Sequence, residues 1–200
     1  MLEVDDDSRL GRELIAGGTK YHAHFVPDEE LTADLYERAC ESLEAAGIQQ
    51  YEVSNFARTG QESRHNLKYW TRLPYLGVGV DAHSMLPASR VGSEAVRFST
   101  PDSLERYVAG GALSSTGVSR EAALEETFFL GLRLNRGLSL SQVAQEFGES
   151  AVAGASETIA DLVETGLLDL QGGVIRLTPR GRLLSNEVFE RFIVSVEHVE

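Results

Sequence analysis

The sequence predicts an α/β chain that ends in a small winged-helix-like α+β domain. In its first half, "PDEELTADLYERACESLEAAG" reads as an amphipathic helix, and "IQQYEVSNFA" follows at once as a strand. Helix, glycine and buried strand in succession are the rhythm of an α/β layer. From Ser119 the grammar changes to three helical segments and then a two-strand hairpin, the order of elements in a winged helix. Between these parts "GGALSST", residues 110–116, reads as a short small-residue linker. The expected domains are residues 1–111 and 117–200.

Each element has a local reason. The opening, up to about Val26, has glycines, a proline and no sustained period, and reads as irregular. In the first helix, Pro27, Asp28, Glu29 and Glu30 load the first turn with helix-start residues and negative charge. Leu31, Leu35, Ala39, Leu43 and Ala46 mark its apolar face, and Gly47 stops it. Ile48, Tyr51, Val53 and Phe56 supply the bulk of the strand that follows. "PYLGVGVDAHSML", residues 74–86, reads as a second buried strand running into a loop. "RVGSEAVRFST" reads as a short hairpin turning at Gly92 and Ser93, and "TPDSLERYVAGG" as a short helix. "SREAALEETFFLGLRLN" is a strong amphipathic helix with Leu124, Phe128 and Leu132 inward. "SLSQVAQEFG" and "SETIADLVETGLL" are the next two helices. "LDLQGGVIRLT" is a hairpin around Gly172 and Gly173, and "TPRGRLLSNEVFERFIVSV" closes as a last helix.

Composition narrows the function classes. The chain has 200 residues, 42% hydrophobic and 24% charged, ordinary values for a globular protein with a real core. No apolar run approaches the roughly 20 residues of a bilayer-spanning helix. The acidic opening "MLEVDDDSRLGRE" is unlike a signal or transit peptide. A net charge of -13 argues against broad binding to nucleic acid or anionic membrane. The candidate recognition helix of the C-terminal part agrees: it carries Glu157, Asp161 and Glu164 and no basic residue. The single cysteine, Cys40, excludes a disulfide or a cysteine-only metal or iron–sulfur site within the chain. It reads as packed in the first helix, and the expected location is cytoplasmic.

Residues 62–70, "ESRHNLKYW", are the strongest chemical signal. On a helix, His65 and Tyr69 sit one turn apart, and so do Asn66 and Trp70. Arg64, Lys68 and Arg72 follow the same spacing as a basic stripe. An aromatic face, an imidazole and a cationic edge suit a flat, anionic ligand with a metal at its centre. The alternative is structural, with Tyr69 and Trp70 filling the core and His65 only hydrogen-bonded. Gly77 and Gly79 let backbone approach a ligand or simply pack tightly, and Asp81 has no assigned role. His22 and His24 alternate, but two ligands do not make a metal site. Glu52, Asn55 and Arg58 lie on or just after the first strand, and in the barrel that the family resemblance described below implies they are expected to face its interior.

Two stretches carry a family resemblance. "YEVSNFARTGQESRHNLKYWTRLPYLGVGVDAHS" resembles the late barrel segment of the radical S-adenosylmethionine proteins related to oxygen-independent coproporphyrinogen III oxidase. "GLLDLQGGVIRLTPRGRLLSN" resembles the helical C-terminal domain of the same proteins. The H-N-x-x-Y-W element, here His65, Asn66, Tyr69 and Trp70, is similar to the one that marks the HemW-like heme-chaperone branch.

The resemblance implies a fold: the last strands and helices of a partial (β/α) barrel, then the winged-helix-like domain. It implies heme binding through His65, Asn66, Tyr69 and Trp70, with Arg64, Lys68 or Arg72 pairing the propionates. It places Ala82 and His83 near the S-adenosylmethionine adenine of the full protein. The family holds its 4Fe-4S cluster on three cysteines in a C-x-x-x-C-x-x-C loop that this sequence lacks. The chain therefore resembles a C-terminal fragment, expected to be inactive alone in cleaving S-adenosylmethionine. The implied partners are heme and a heme-acceptor protein. An open barrel edge leads us to expect self-association. Porphyrinogen decarboxylation and a cofactor-free interaction module are the alternative functions.

Overall fold

The computed structural model describes residues 8–17, 27–88 and 93–193. His22, His24 and Gly92 lie outside the described residues. By contacts the chain divides into two compact units, Met1–Gln50 with Ser54–Gly60, and Tyr51–Val53 with Gln61–Glu200.

The first unit contains α1 (Arg9–Ile15), inside the stretch that the sequence reads as irregular. The Ser8 hydroxyl caps it by accepting from the Gly11 N–H at 2.9 Å. Helix α2 (Glu29–Ala45) is capped by Asp28, whose carboxylate accepts from the Leu31 N–H at 2.8 Å. Gly47, at φ 73°, ends it as expected. Its packed side is a correction: Leu31 and Leu35 are about half exposed, at 48% and 50%. Of the expected face only Leu43 is half-buried, and Tyr36 and Cys40 join it. An apolar stripe is buried only where another layer covers it. Among the described residues of this unit no large apolar side chain is fully buried.

The strand expected over residues 48–57 is two strands, β1 (Gln49–Glu52) and β2 (Asn55–Ala57), neighbours in a two-stranded sheet. Val53 and Ser54 form the turn between them. The Val53 N–H donates to the Arg133 carbonyl at 3.1 Å, so the ladder that would continue the strand is taken by another segment.

In the second unit α3 (Arg64–Trp70) precedes a three-stranded antiparallel sheet. Its strands are β3 (His83–Pro87), β4 (Ala95–Ser99) and, after helix α4 (Leu104–Val108), β5 (Ser114–Val118). The order is β3-β4-β5, with Met85 opposite Arg97 and Arg97 opposite Thr116. Three expectations change here. Residues 76–80 are loop rather than buried strand, with Leu76 67% and Val78 82% exposed. Gly79 at φ 122° and Asp81 at φ 53° cannot continue an extended chain. Residues 95–99 are the central strand, paired antiparallel with the preceding β3 in a wider hairpin than residues 90–100 alone would form, and the expected linker supplies part of the edge strand β5. Serines and threonine add little bulk there, but the β4 backbone offers the pairing groups.

Helix α5 (Arg120–Leu132) starts at Ser119, whose hydroxyl accepts from the Ala122 N–H at 3.2 Å. Its own backbone N–H, and then the Ser119 hydroxyl, hold the exposed Glu121 carboxyl below the usual carboxylate range. Next come β6 (Leu138–Ser139), α6 (Leu140–Phe147), α7 (Glu149–Glu164), β7 (Leu168–Gln171) and β8 (Val174–Leu177). The second sheet is antiparallel in the order β6-β8-β7. Gly172 and Gly173, at φ 59° and 74°, make its tight turn.

The expected last helix is two, α8 (Pro179–Leu183) and α9 (Ser185–Glu190), broken at Leu184. Gly181 lies against the Leu167 backbone, which fixes α8, so the chain must turn before α9 can pack on α5. Phe192, just beyond α9, stacks on Phe128 at 4.8 Å between ring centroids. Leu132, Val143, Ile175 and Val188 are the innermost apolar side chains. Among the described residues no helix is long and apolar enough to cross a membrane.

A Cβ on Gly181 would meet the Leu167 carbonyl oxygen at 2.0 Å. The Thr178 hydroxyl, donating to the Gly166 carbonyl at 2.7 Å, leaves that junction little room to relax. Gly181→Ala is therefore expected to destabilise the chain by about 1–3 kcal/mol, read from thermal and denaturant unfolding.

Candidate functional site

Residues 62–70 fold as expected from their caps and spacing. The Ser63 hydroxyl accepts from the Asn66 N–H at 3.3 Å to start α3. Thr71 closes it, its hydroxyl donating to the Leu67 carbonyl at 2.6 Å. His65 and Tyr69 stand one turn apart, with ring centroids at 5.0 Å and an interplanar angle of 80°. The Tyr69 hydroxyl is 3.2 Å from His65 Nε2. Tyr69 in turn meets the edge of Tyr75 at 4.6 Å. Tyr75 is tied to β3 by two backbone hydrogen bonds with Met85, of 2.9 and 3.0 Å. The result is a row of rings from an exposed imidazole to a strand of the sheet.

Trp70 takes a different course. The Arg133 guanidinium lies over its ring at 4.2 Å from the centroid. Arg133 Nη2 is also 3.2 Å from Glu52 Oε2. The Glu52 side chain is 0% exposed, so Glu52 is a packed ion-pair partner and not a group facing an open barrel. Asn55 is half-buried and Arg58 is exposed in the first unit.

The expected basic stripe is only partly realised. Arg64 and Lys68 are exposed on α3. Arg72 leaves the stripe because the helix ends at Trp70 and Arg72 itself adopts φ 51°. Its side chain is 12% exposed. It reaches Glu126 at 3.3 Å, the Thr127 hydroxyl at 3.0 Å and Glu146 at 3.5 Å. The reading of Arg72 as a propionate partner is corrected on that ground: its guanidinium is already used. Glu126 also takes Arg97 at 2.6 Å, so one buried carboxylate joins the end of α3 to β4 and α5.

Two cavities flank the end of α3. One, of about 320 Å³, is lined by Tyr69, Trp70, Tyr75, Met85 and Glu126 among others. The other, of about 480 Å³, lies between Trp70, Arg136, Gln142 and Glu146.

The segment around Ala82 and His83 is built by backbone contacts. The Ala82 N–H donates to the Thr100 hydroxyl at 2.8 Å, and the Thr100 N–H returns to the Ala82 carbonyl at 3.0 Å. His83 is exposed, 3.6 Å from Asp81. A Cβ on Gly77 would meet the His83 carbonyl oxygen at 2.3 Å, so close approach of this glycine serves the chain's own backbone. Sequence reasoning missed Tyr75, Glu126 and Arg133. The two charged residues had a signal: each interrupts an apolar stretch of α5 or its end, where a charge must find a partner.

A family model for the HemN C-terminal domain matches residues 118–184. The chain is 38% identical over 170 residues to "Heme chaperone HemW" of Bacillus subtilis, covering 84% of this chain and 44% of that protein. It is 36% identical over 190 residues to the Mycobacterium tuberculosis protein of the same name, covering 94% and 44%. A mouse relative, "Radical S-adenosyl methionine domain-containing protein 1, mitochondrial", is 34% identical over 198 residues, covering 90% and 45%. The chain thus spans about half the length, 44–45%, of these curated relatives. Its fold is similar to that of coproporphyrinogen III oxidase (HemN) from Escherichia coli, a radical SAM enzyme. The TM-score is 0.65 at 21% identity, over 88% of this chain and 45% of that one.

Removing Glu126 leaves the largely buried Arg72 side chain without its closest carboxylate. Glu126→Ala is expected to cost about 3 kcal/mol, the order seen when one partner of a buried pair is deleted. Arg72→Ala and the double variant complete a cycle in denaturant unfolding, where the double variant should cost clearly less than the sum.

Proposed function

This chain belongs to the HemW-like branch of the proteins related to oxygen-independent coproporphyrinogen III oxidase, and from that premise we propose that its α3 element binds heme. In a protein of the relatives' length, that heme is handed to an acceptor protein. His65, Asn66, Tyr69 and Trp70 form the element, and His65 and Tyr69 are its outward face. One observation carries the reading: the His65 imidazole is exposed and already oriented, its Nε2 3.2 Å from the Tyr69 hydroxyl. A metal-binding imidazole is commonly held by such a neighbour.

The residues present suit a porphyrin. His65 offers an axial nitrogen without displacing any core side chain, the Tyr69 ring offers an apolar edge, and Arg64 and Lys68 offer exposed cations to propionates. Bound heme would supply the iron that accepts the imidazole. The Tyr69 hydroxyl would hold the ring in register.

The wider reading keeps residues 1–111 as the last part of a (β/α) barrel and 117–200 as a winged-helix-like domain, with β5 at their seam. Ala82 and His83 would lie near the adenine of S-adenosylmethionine, and a 4Fe-4S cluster would be a second cofactor of the whole protein. Porphyrinogen decarboxylation gains nothing from the likeness to the Escherichia coli oxidase, because 21% identity carries the fold alone.

Titration with hemin should give a Soret change that saturates near about one equivalent. His65→Ala should weaken it by about tenfold or more while leaving thermal unfolding unchanged, since His65 supports no core. Unaltered binding by His65→Ala would remove the reading.

A further inference from the structure

The H-N-x-x-Y-W element divides into two faces. At 3.6 residues per turn, Tyr69 lies about 40° from His65 around α3, and Trp70 about 140° away. A flat ligand resting on His65 and Tyr69 cannot also lie on Trp70. Asn66 shares the Trp70 side, about 40° from it.

The Trp70 side is occupied by protein. Arg133 covers the indole at 4.2 Å and reaches Glu52 at 3.2 Å. The segment after α5 is then sewn to the end of β1. The Val53 N–H donates to the Arg133 carbonyl at 3.1 Å, and the Asn135 N–H to the Tyr51 carbonyl at 3.0 Å. Glu52 and Leu134 form the antiparallel bridge between these bonds. The indole Nε1 is buried, with no hydrogen-bond partner among the described residues. Trp70 is therefore held by its ring face, through stacking and packing, and not by its polar handle.

We propose that Trp70 is a positioning residue: clamped by Arg133 and Glu52, it fixes α3 on α5 and so aims the His65–Tyr69 face at heme without touching heme itself. This rests on the reading of His65 as the heme ligand. Arg133 and Glu52 become part of the heme-binding machinery although neither belongs to the sequence element. The clamp also explains why a planar guanidinium stands at residue 133. It stacks on the ring and pairs with the carboxylate at once, which a lysine ammonium does not do.

The test uses the 200-residue chain and hemin as the probe. Variants are Arg133→Met, Arg133→Lys and Trp70→Phe, beside Trp70→Ala and the Trp70→Ala/Arg133→Met double variant. Trp70 is the single tryptophan, so its fluorescence reports the clamp directly. Arg133→Met is expected to weaken hemin affinity about 10- to 100-fold, the range for residues that orient a metal ligand. Trp70 emission should shift to the red, and the Soret position at saturating hemin should stay that of the parent. Arg133→Lys keeps a cation beside Glu52 and should fold normally, yet show the same direction of change in emission and affinity. Trp70→Phe keeps a ring for Arg133 and should bind like the parent. The double variant should bind no worse than Trp70→Ala alone. If both Arg133 variants bind hemin like the parent while Trp70→Ala fails, Trp70 contacts heme and the positioning role is overturned. If the parent itself gives no Soret change, the heme reading falls first and the positioning role falls with it.

Discussion

Glu52 is a carboxylate with no exposure to solvent, and such a group is tolerated only where a cation and further hydrogen bonds meet it. That requirement sets the centre of the second unit. The cation is Arg133, delivered by the end of α5, and the chain on either side of it is tied to Tyr51 and Val53 by backbone hydrogen bonds. Once the guanidinium is placed, its other face is available to an aromatic ring, and Trp70 fills it. The end of β1, the end of α5 and the end of α3 therefore meet because one buried charge must be satisfied.

A second buried carboxylate works alongside the first. Glu126 is about nine-tenths buried and holds Arg72 and Arg97 together. Arg72 is the residue at which α3 has ended and the backbone turns left-handed, a conformation disfavoured for a side chain of this kind. Its contacts to Glu126, Thr127 and Glu146 offset that cost. Between them, Trp70 and Arg72 hold the C-terminal end of α3 from two sides. His65, near the other end, remains exposed. The helix is thus anchored at its C-terminal end and exposed at His65.

The domain matched by the HemN C-terminal family model includes α5, so the helix that receives Trp70 and Arg72 belongs to the appended domain and not to the element itself. This gives the domain a physical task in the heme reading. It supplies Glu126, Thr127 and Arg133, the groups against which the motif helix is seated. In the proposed heme reading His65 and its neighbours form the site, and these groups of the C-terminal domain hold them in place.

Much of the fold was legible because its signals are local. Ser63, Ser119 and Ser139 start helices with their own hydroxyls, Asp28 does so with its carboxylate, and Gly172 and Gly173 turn the C-terminal hairpin. The pairing of His65 with Tyr69 follows from helical spacing alone. The sequence by itself determined these elements, the family, and the stretch in which the candidate site lies, since caps, turns and periodicity act within a few residues. Which side of α2 is packed, that residues 95–99 form a central strand, and that the last helix breaks at Leu184 depended on neighbouring elements. So did the jobs of the charged residues. Arg72 finds Glu126 across 54 positions and Arg133 finds Glu52 across 81. Only the tertiary structure decided those pairings, because the desolvation that makes an ion pair or a stacked guanidinium necessary exists only after distant segments have closed over it.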